Sequence, residues 1–152
     1  RRYWEAVAEV IPEWSNVIAG DMLASEVRQD AIHSHGLALQ ALGKAGNALI
    51  KTHPRDWQGH LGVLGRIDWA RANAALWEGR ALSGGRVVKG SKNVVLTTNI
   101  IKRALGLALS PEEQRVEDAH ARGADALDAE KQTSKAQPRR KRGARAAANN
   151  PV

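Results

Sequence analysis

The chain has 152 residues, which is enough for one ordinary domain and an extension. It contains no cysteine, which excludes a disulfide framework and a thiolate zinc site. Its formal net charge of +7 favours polyanionic partners, and no charge-free apolar run is long enough to predict a transmembrane helix.

The excess positive charge is concentrated at the C-terminal end. Residues 1–127 carry 16 basic and 14 acidic side chains, whereas residues 128–152 carry 7 basic and 2 acidic ones. We therefore predict a domain over residues 1–127 and a basic tail over residues 128–152, disordered from Gln132 because it has almost nothing apolar to bury. The sequence begins at Arg1 and its only methionine is Met22, so we expect either a piece of a longer protein or an N-terminus that is not recorded.

The first fifty residues predict two helical regions. A short helix over residues 3–10 is interrupted by Pro12, and a loop lies near Gly20. A long helix follows from about Ser25 to Lys51, and it either bends near Gly43 or packs closely against another element there. Its expected apolar stripe is Val27, Ile32, His35, Leu39, Leu42, Gly46 and Leu49.

The middle of the chain predicts shorter elements. A helix begins at His53-Pro54 and carries Trp57 on its apolar stripe. Asp68 is expected to cap a further short helix that ends near Gly79. A turn at Ser83-Gly84-Gly85 then precedes a short strand.

Two more helices are predicted before the tail. Residues 92–105 contain many β-branched side chains, which favour a strand, but the flanking Ser91 and Gly106 are typical of helix ends and we predict a helix. The segment Ser110-Pro111-Glu112-Glu113 is a capping box that should start a helix running to about Arg122. The predicted fold class is therefore all-α, a single helical domain with at most a short hairpin.

The sequence shows no constellation typical of catalysis or cofactor binding. There is no Walker-type phosphate loop, no His-Glu-x-x-His pair and no readable nucleophile–base pair, so we predict no catalytic residue, cofactor or metal site in this segment. The five histidines are expected to be structural or on the surface. Trp4, Trp57 and Trp69 are assigned to the core rather than to stacking on unpaired bases, and Trp77 is left open.

A basic-rich stretch lies in the middle of the chain. Between Arg66 and Arg103, only Asp68 and Glu78 are acidic. The stretch is either a solvated face or a set of phosphate contacts made by residues 83–92 and by the helix that starts after Ser91. The candidate DNA-binding residues are Arg71, Arg80, Arg86, Lys89, Lys92, Lys102 and Arg103, with Arg139, Arg140, Lys141 and Arg142 of the tail.

An ordered series of short motifs carries a family resemblance. It includes Ile67-Asp68-Trp69-Ala70-Arg71-Ala72-Asn73, then Ser91-Lys92-Asn93-Val94-Val95-Leu96-Thr97, then Lys102-Arg103-Ala104-Leu105-Gly106-Leu107. This series resembles the C-terminal half of the DndB family, the DNA sulfur modification proteins of bacterial phosphorothioation systems. The likeness covers most of residues 3–118. In that family the similar region is all-helical and follows a domain with an Asp-Gly-Gln-His-Arg motif, which this sequence lacks.

The resemblance implies a cytoplasmic, DNA-binding regulator of the modification gene cluster. The implied partners are DNA, the protein's own N-terminal domain and other modification proteins, with a homo-oligomer as a further option. Two other functions stay open: a module that docks another modification component, and part of an enzyme whose active site lies at the junction with the N-terminal domain. Docking predicts an exposed apolar patch, DNA binding a contiguous positive surface, and an enzyme a buried unpaired charge.

Overall fold

A computed structural model of the protein describes the backbone of residues 1–136 and the side chains of residues 1–124. The chain forms two units, Arg1–His120 and Ala121–Val152. The described part contains eight α-helices and one two-stranded antiparallel sheet, which confirms the predicted all-α fold with a short hairpin. None of its helices has the length and apolar character that crossing a bilayer requires. The boundary between residues 127 and 128 stays a prediction.

Two short helices open the chain. Helix α1 (Arg2–Val10) confirms the predicted helix, and α2 (Pro12–Ala19) occupies a segment that sequence patterns left unassigned. Pro12 is tolerated in the first turn of α2 because no intrahelical partner exists for that amide position. Helix α2 ends at Gly20, whose φ of 84° is a left-handed conformation that favours glycine.

The single long helix predicted over residues 25–51 is wrong. The structure has two helices, α3 (Ala24–Asp30) and α4 (Gly36–Thr52), separated by residues 31–35. The interruption has a tertiary cause, since the Ile32 amide donates to the Trp69 carbonyl and the Arg71 amide donates to the Asp30 carbonyl, each at 2.8 Å. Backbone groups of Trp69 and Arg71, which are distant in sequence, thus make hydrogen bonds in place of those that a continuous helix would have made.

Helix α4 is unbroken at Gly43, and its glycines accommodate aromatic side chains. Trp4 lies in ordinary van der Waals contact with the position of a Cβ at Gly43, and the Tyr3 ring occupies the space of a Cβ at Gly46. Close packing, rather than a bend, therefore explains these glycines. The buried face also differs from the predicted stripe, because Leu39 is exposed and His35 precedes the helix. That face, which packs mainly on α7, comprises Leu37, Ala38, Ala41, Leu42, Ala45, Gly46 and Leu49.

The two glycines of α4 give a matched pair of substitutions. We expect Gly43→Ala to stabilise the protein by up to about 1 kcal/mol, because alanine is the better helix former and has room there. Gly46→Ala should instead destabilise it by about 1–3 kcal/mol, because the new methyl group must displace Tyr3, whose hydroxyl donates to the Leu42 carbonyl at 2.7 Å. Chemical denaturation of both variants measures the difference, and equal shifts would contradict the packing assigned to Gly46.

The segment after α4 is less helical than predicted. Helix α5 (Trp57–His60) runs into a 3₁₀ helix (Leu61–Arg66), and residues 67–73 form a loop. The predicted Asp68 cap is wrong: Asn73 caps the four-residue helix α6 (Ala74–Trp77) by accepting from the Leu76 amide. Asp68 shapes the loop instead, since its carboxylate accepts from the Ala70 amide and from the Asn73 side chain, each at 3.0 Å.

The predicted turn and strand form a hairpin. Strand β1 (Leu82–Ser83) pairs with β2 (Arg86–Val87), with Ser83 opposite Arg86. Gly84 and Gly85 make the connection at φ values of 56° and 74°, the positive values that a tight two-residue hairpin turn requires.

The last two helices confirm the predicted elements. Helix α7 (Ser91–Ala104) ends before Gly106, whose φ is 72°, and α8 (Pro111–Ala136) begins at the predicted capping box. The Ser110 amide donates to the Glu113 carboxylate at 2.7 Å, and the Glu113 amide donates to the Ser110 hydroxyl at 3.2 Å. Helical backbone includes residues 132–136, the start of the segment expected to be disordered, and residues 137–152 lie outside the described residues.

The tryptophans differ from one another in burial. Trp69 and Trp77 are buried and stack with their ring centroids 5.4 Å apart. Trp57 is only partly buried at the edge of the core, and Trp4 is 39% exposed. The core assignment is therefore confirmed for Trp69, holds in part for Trp57 and is wrong for Trp4, which packs beside Tyr3 and Trp14 on the surface of the helices.

Candidate nucleic-acid interface

Three of the predicted DNA-binding residues meet at one cavity. Arg71, Arg86 and Lys89 line a cavity of about 550 Å³, together with the start of α4 and the first turn of α7. The remaining lining residues are His35, Gly36, Leu37, Gln40, Val87 and Val94. Among the described side chains no acidic one lines the cavity, which is therefore suited to an anion such as a phosphate.

Arg71 holds the walls of this cavity together. One guanidinium nitrogen, Nη1, lies 3.4 Å from the Arg28 carbonyl and 3.3 Å from the Gln29 carbonyl, both in the last turns of α3. The other, Nη2, donates to the Gly85 carbonyl of the hairpin turn at 3.0 Å. Arg71 therefore positions the hairpin while it adds positive charge to the cavity.

Glu78 also fixes this hairpin, through the amides of its turn. Its carboxylate accepts from the amides of Gly84 and Gly85, so both turn amides are bound by one side chain. The Val88 amide also donates to the Ala81 carbonyl at 3.0 Å, which extends the hairpin towards α7. Because the turn is anchored at both ends, Arg86 and Lys89 project from a fixed backbone.

The exposed cations lie beside two helix N-termini. Arg86, Lys89 and Lys92 are exposed, and Lys92 is in the first turn of α7. Among the described side chains, none caps the N-terminus of α4 or of α7. Amides in the first turn of a helix have no intrahelical acceptor, so both ends favour an anion in the same region as the cations.

The other candidate cations of the folded part are engaged in ion pairs. Arg80 makes a two-pronged contact with Glu117, at 2.7 and 2.9 Å, and only 17% of its side chain is exposed. Lys102 is buried and pairs with Glu113 at 2.6 Å. Arg103 is half-exposed, 3.4 Å from Glu117. The pairs of Lys102 and Arg103 join α7 to α8, and the pair of Arg80 joins the loop after α6 to α8. These contacts leave little charge for a phosphate.

Glu113 and Glu117 belong to a network of ion pairs that stabilises the fold. Burial raises the pKa of Glu117, but hydrogen bonds from Arg80 and Asn99 and the charges of Arg80 and Arg103 outweigh it, so the pKa is lowered. The pKa of Glu113 is lowered in the same way, with burial opposed by Lys102 and Ser110. Both carboxylates are thus held ionised by the cations and hydrogen-bond donors that surround them.

Sequence patterns missed the roles of two residues in this region, His35 and Glu78. His35 is the N-cap of α4, and its Nε2 lies 2.9 Å from the Arg28 carbonyl. The sequence alone does not predict this cap position, because it depends on the helix break at residues 31–35. The role of Glu78 could have been inferred from its spacing to Ser83-Gly84-Gly85, since carboxylates often bind the amides of a turn. Arg139, Arg140, Lys141 and Arg142 lie outside the described residues.

Fold and site together define a mainly helical module with a short hairpin and a cation-lined cavity between two helix starts. The family model for DndB, described as DNA-sulfur modification-associated, matches residues 1–108 of the chain. The chain therefore belongs to the DndB family, and membership implies involvement in DNA sulfur modification. The family also suggests a part in a modification system with other proteins. Neither the curated proteins nor the solved structures gave a match.

Proposed function

We propose that this module binds DNA and acts as a cytoplasmic regulator of the modification gene cluster. The observation that carries the proposal is the convergence of Arg71, Arg86 and Lys89 on one cavity, with exposed Lys92 in the first turn of α7. Phosphate contacts dominate the affinity of DNA-binding proteins, and arginine, lysine and helix N-termini are the groups that make them.

The arrangement separates positioning from binding. Arg71 donates to three carbonyls, so its role is to hold the hairpin against α3. Arg86, Lys89 and Lys92 carry the exposed charge and contact phosphates. Arg80 and Lys102 stabilise the fold through Glu117 and Glu113 and take no direct part.

Removing the exposed cations should weaken DNA binding strongly. For Arg86→Ala/Lys89→Ala/Lys92→Ala, we expect the slope of log affinity against log salt to fall by about two to three units, because each neutralised phosphate releases about 0.9 counterion. We also expect the affinity for DNA to fall roughly a hundredfold at low salt. A salt-titrated binding assay on a random duplex measures both. We call this triple substitution the cavity variant, because Arg86 and Lys89 line the cavity and Lys92 lies beside it in the first turn of α7. The matched control is Lys51→Ala/Arg55→Ala/Arg66→Ala, which removes three exposed charges that neither line the cavity nor lie in that turn.

The control makes the outcome specific to the site. Both triple variants have the same net charge, so equal losses would mean that affinity follows total charge and that the cavity has no special role. Unchanged binding in the cavity variant would make these cations an ordinary solvated face. Arg71→Lys should lower the affinity for DNA, because lysine cannot bridge two carbonyl groups in one plane as the guanidinium does. The loss should be smaller than in the cavity variant, because lysine keeps the positive charge.

The tail should contribute affinity without reading sequence. Deleting residues 137–152 removes Arg139, Arg140, Lys141, Arg142 and Arg145, and we expect the salt slope to fall by roughly two to four units. Preference for one duplex over another should survive the deletion, because phosphate contacts carry no base information. Competition assays with the promoter of the modification genes and a random duplex of equal length test this. Loss of the preference in the truncated protein would contradict it.

A transcription assay distinguishes a regulator from a protein that only binds DNA. Expression of a reporter driven by the promoter of the modification genes should change when the full chain is present. The cavity variant should not produce this change. A protein that binds DNA equally at any sequence and leaves the reporter unchanged would be a DNA-binding component without a regulatory role.

A docking module is the second candidate, favoured by one apolar feature. Ile18 is 76% exposed and borders a small cavity of about 200 Å³ that Trp14, Val17 and Ala24 also line. Leu23, 65% exposed, precedes Ala24. This surface lies on α2 and α3, and its chemistry suits an apolar side chain of another modification component. Ile18→Asp should then abolish the protein contact and leave DNA binding unchanged.

A further inference from the structure

Two histidines and an aspartate lie together where α4 is followed by α5. His53 is the residue after the last turn of α4, Asp56 directly precedes α5, and His60 is the last residue of α5. The two imidazole rings lie with their centroids 4.1 Å apart. Donor atoms of all three side chains are within 4.8 Å of one another.

The Asp56 carboxylate faces both rings without bonding to either. Its Oδ1 is 3.9 Å from His53 Nδ1, and its Oδ2 is 3.5 Å from His60 Nε2. Hydrogen bonds between such atoms are about 2.7–3.2 Å long. Hydrogen bonding among these side chains therefore does not explain why three potential metal ligands converge.

We propose that His53, Asp56 and His60 bind a divalent transition-metal ion. Ligand bonds of about 2.0–2.2 Å in a tetrahedral site place neighbouring ligand atoms roughly 3.3–3.6 Å apart. The Asp56–His60 separation of 3.5 Å already fits, the Asp56–His53 separation of 3.9 Å is slightly long, and ligand atoms up to 4.8 Å apart must approach by roughly 1 Å, which side-chain rotation at this exposed site allows. Two imidazole nitrogens and one carboxylate oxygen suit Zn²⁺, Co²⁺ or Ni²⁺, whereas Mg²⁺ and Ca²⁺ prefer oxygen ligands alone.

The site faces solvent and has room for further ligands. The side chains of both histidines are 33% exposed and that of Asp56 is 71% exposed. Three protein ligands leave a tetrahedral ion one position for water or for a group on a partner. The ion would tie the end of α4 to α5 and would be exchangeable, because all three ligand side chains are partly exposed to solvent.

The sequence predicted no metal site because the usual helical pair, His-Glu-x-x-His, is lacking. The present cluster has the spacing His-x-x-Asp-x-x-x-His across a helix boundary. That spacing brings the side chains together only because residues 53–56 turn before α5 begins.

Metal binding can be measured directly on the full chain without an affinity tag. We expect calorimetric titration with Zn²⁺ to show one site, and Co²⁺ to give visible absorption of a tetrahedral N/O centre. His60→Gln should weaken Zn²⁺ binding at least tenfold, since even loss of a residue that only supports a ligand costs about 10–100-fold. His53→Gln/His60→Gln should abolish the site. His35→Gln, which removes a histidine outside the cluster, should leave it intact.

A second measurement needs no substitution. Zn²⁺ should shift the imidazole nitrogen resonances of two of the five histidines in the unaltered protein and leave the other three in place. The proposal is overturned if the unaltered protein shows neither heat of binding nor imidazole shifts, or if the double variant keeps its fold by circular dichroism and binds Zn²⁺ with unchanged affinity.

Discussion

Trp77→Ala should lower the free energy of unfolding by about 3–5 kcal/mol, the usual cost of removing a large aromatic side chain from a core. Trp77 is fully buried and stacks on Trp69 at an interplanar angle of 15°. Its indole nitrogen donates to the Asp68 carbonyl at 2.8 Å, so the substitution also removes a hydrogen bond that shapes the loop before α6. Since folded domains are stable by only about 5–15 kcal/mol, the loss is a large fraction of the total.

Trp4→Ala is the control for this substitution. Trp4 is 39% exposed, so the same change should cost far less there. Chemical denaturation of both variants gives the two free energies. A Trp77→Ala protein that unfolds like the unaltered one but loses affinity for single-stranded DNA would assign the ring to base stacking instead of the core.

Trp77 also shows where sequence reasoning succeeded and where it could not. The tryptophan content and the lack of phenylalanine predicted that tryptophan fills the core. Which tryptophans do so depends on the loop over residues 67–73, which brings Trp69 beside Trp77. The sequence around Trp4 looks as apolar as that around Trp57, yet its ring lies on the surface against Gly43.

Local chemistry explains the elements that were predicted. The capping box at Ser110 and the two glycines of the hairpin each specify their structure within a few residues. The failures have distant causes. The helix break after Asp30 depends on hydrogen bonds to Trp69 and Arg71, about forty residues further along the chain, and no local pattern encodes that pairing.

The same distinction applies to the candidate interface. The sequence identified a basic-rich middle and could not separate free cations from paired ones. Arg80 pairs with Glu117, a residue 37 positions away, whereas Arg86 has an exposed side chain. Charge counting along the chain gives the two arginines equal weight, and only the packing of α8 on the loop after α6 distinguishes them.

Glu117→Gln should destabilise the protein by about 3–5 kcal/mol, because it breaks an ion pair and leaves the positive partner buried. Glu117 is only 6% exposed, and it accepts two hydrogen bonds from Arg80 and a third from Asn99, itself fully buried. A glutamine amide presents donors where the guanidinium also presents donors, so part of the contact becomes repulsive. Asp118→Asn removes the same charge one residue later, at an exposed site, and should change stability by less than about 0.5 kcal/mol.

The pH dependence provides an independent test of the same carboxylate. The pKa of Glu117 in the folded protein is lowered from its ordinary value, with burial outweighed by Arg80, Asn99 and Arg103. Its contribution to stability is therefore present above the ordinary carboxyl pKa, about 4.3, and is lost as the pH falls through the lower folded value. We expect the unaltered protein to lose stability steeply below about pH 4.3 and the Glu117→Gln variant to lose it less steeply, because one carboxylate no longer titrates. Urea denaturation at a series of pH values measures both slopes, and parallel profiles would show that Glu117 is not held ionised by this network.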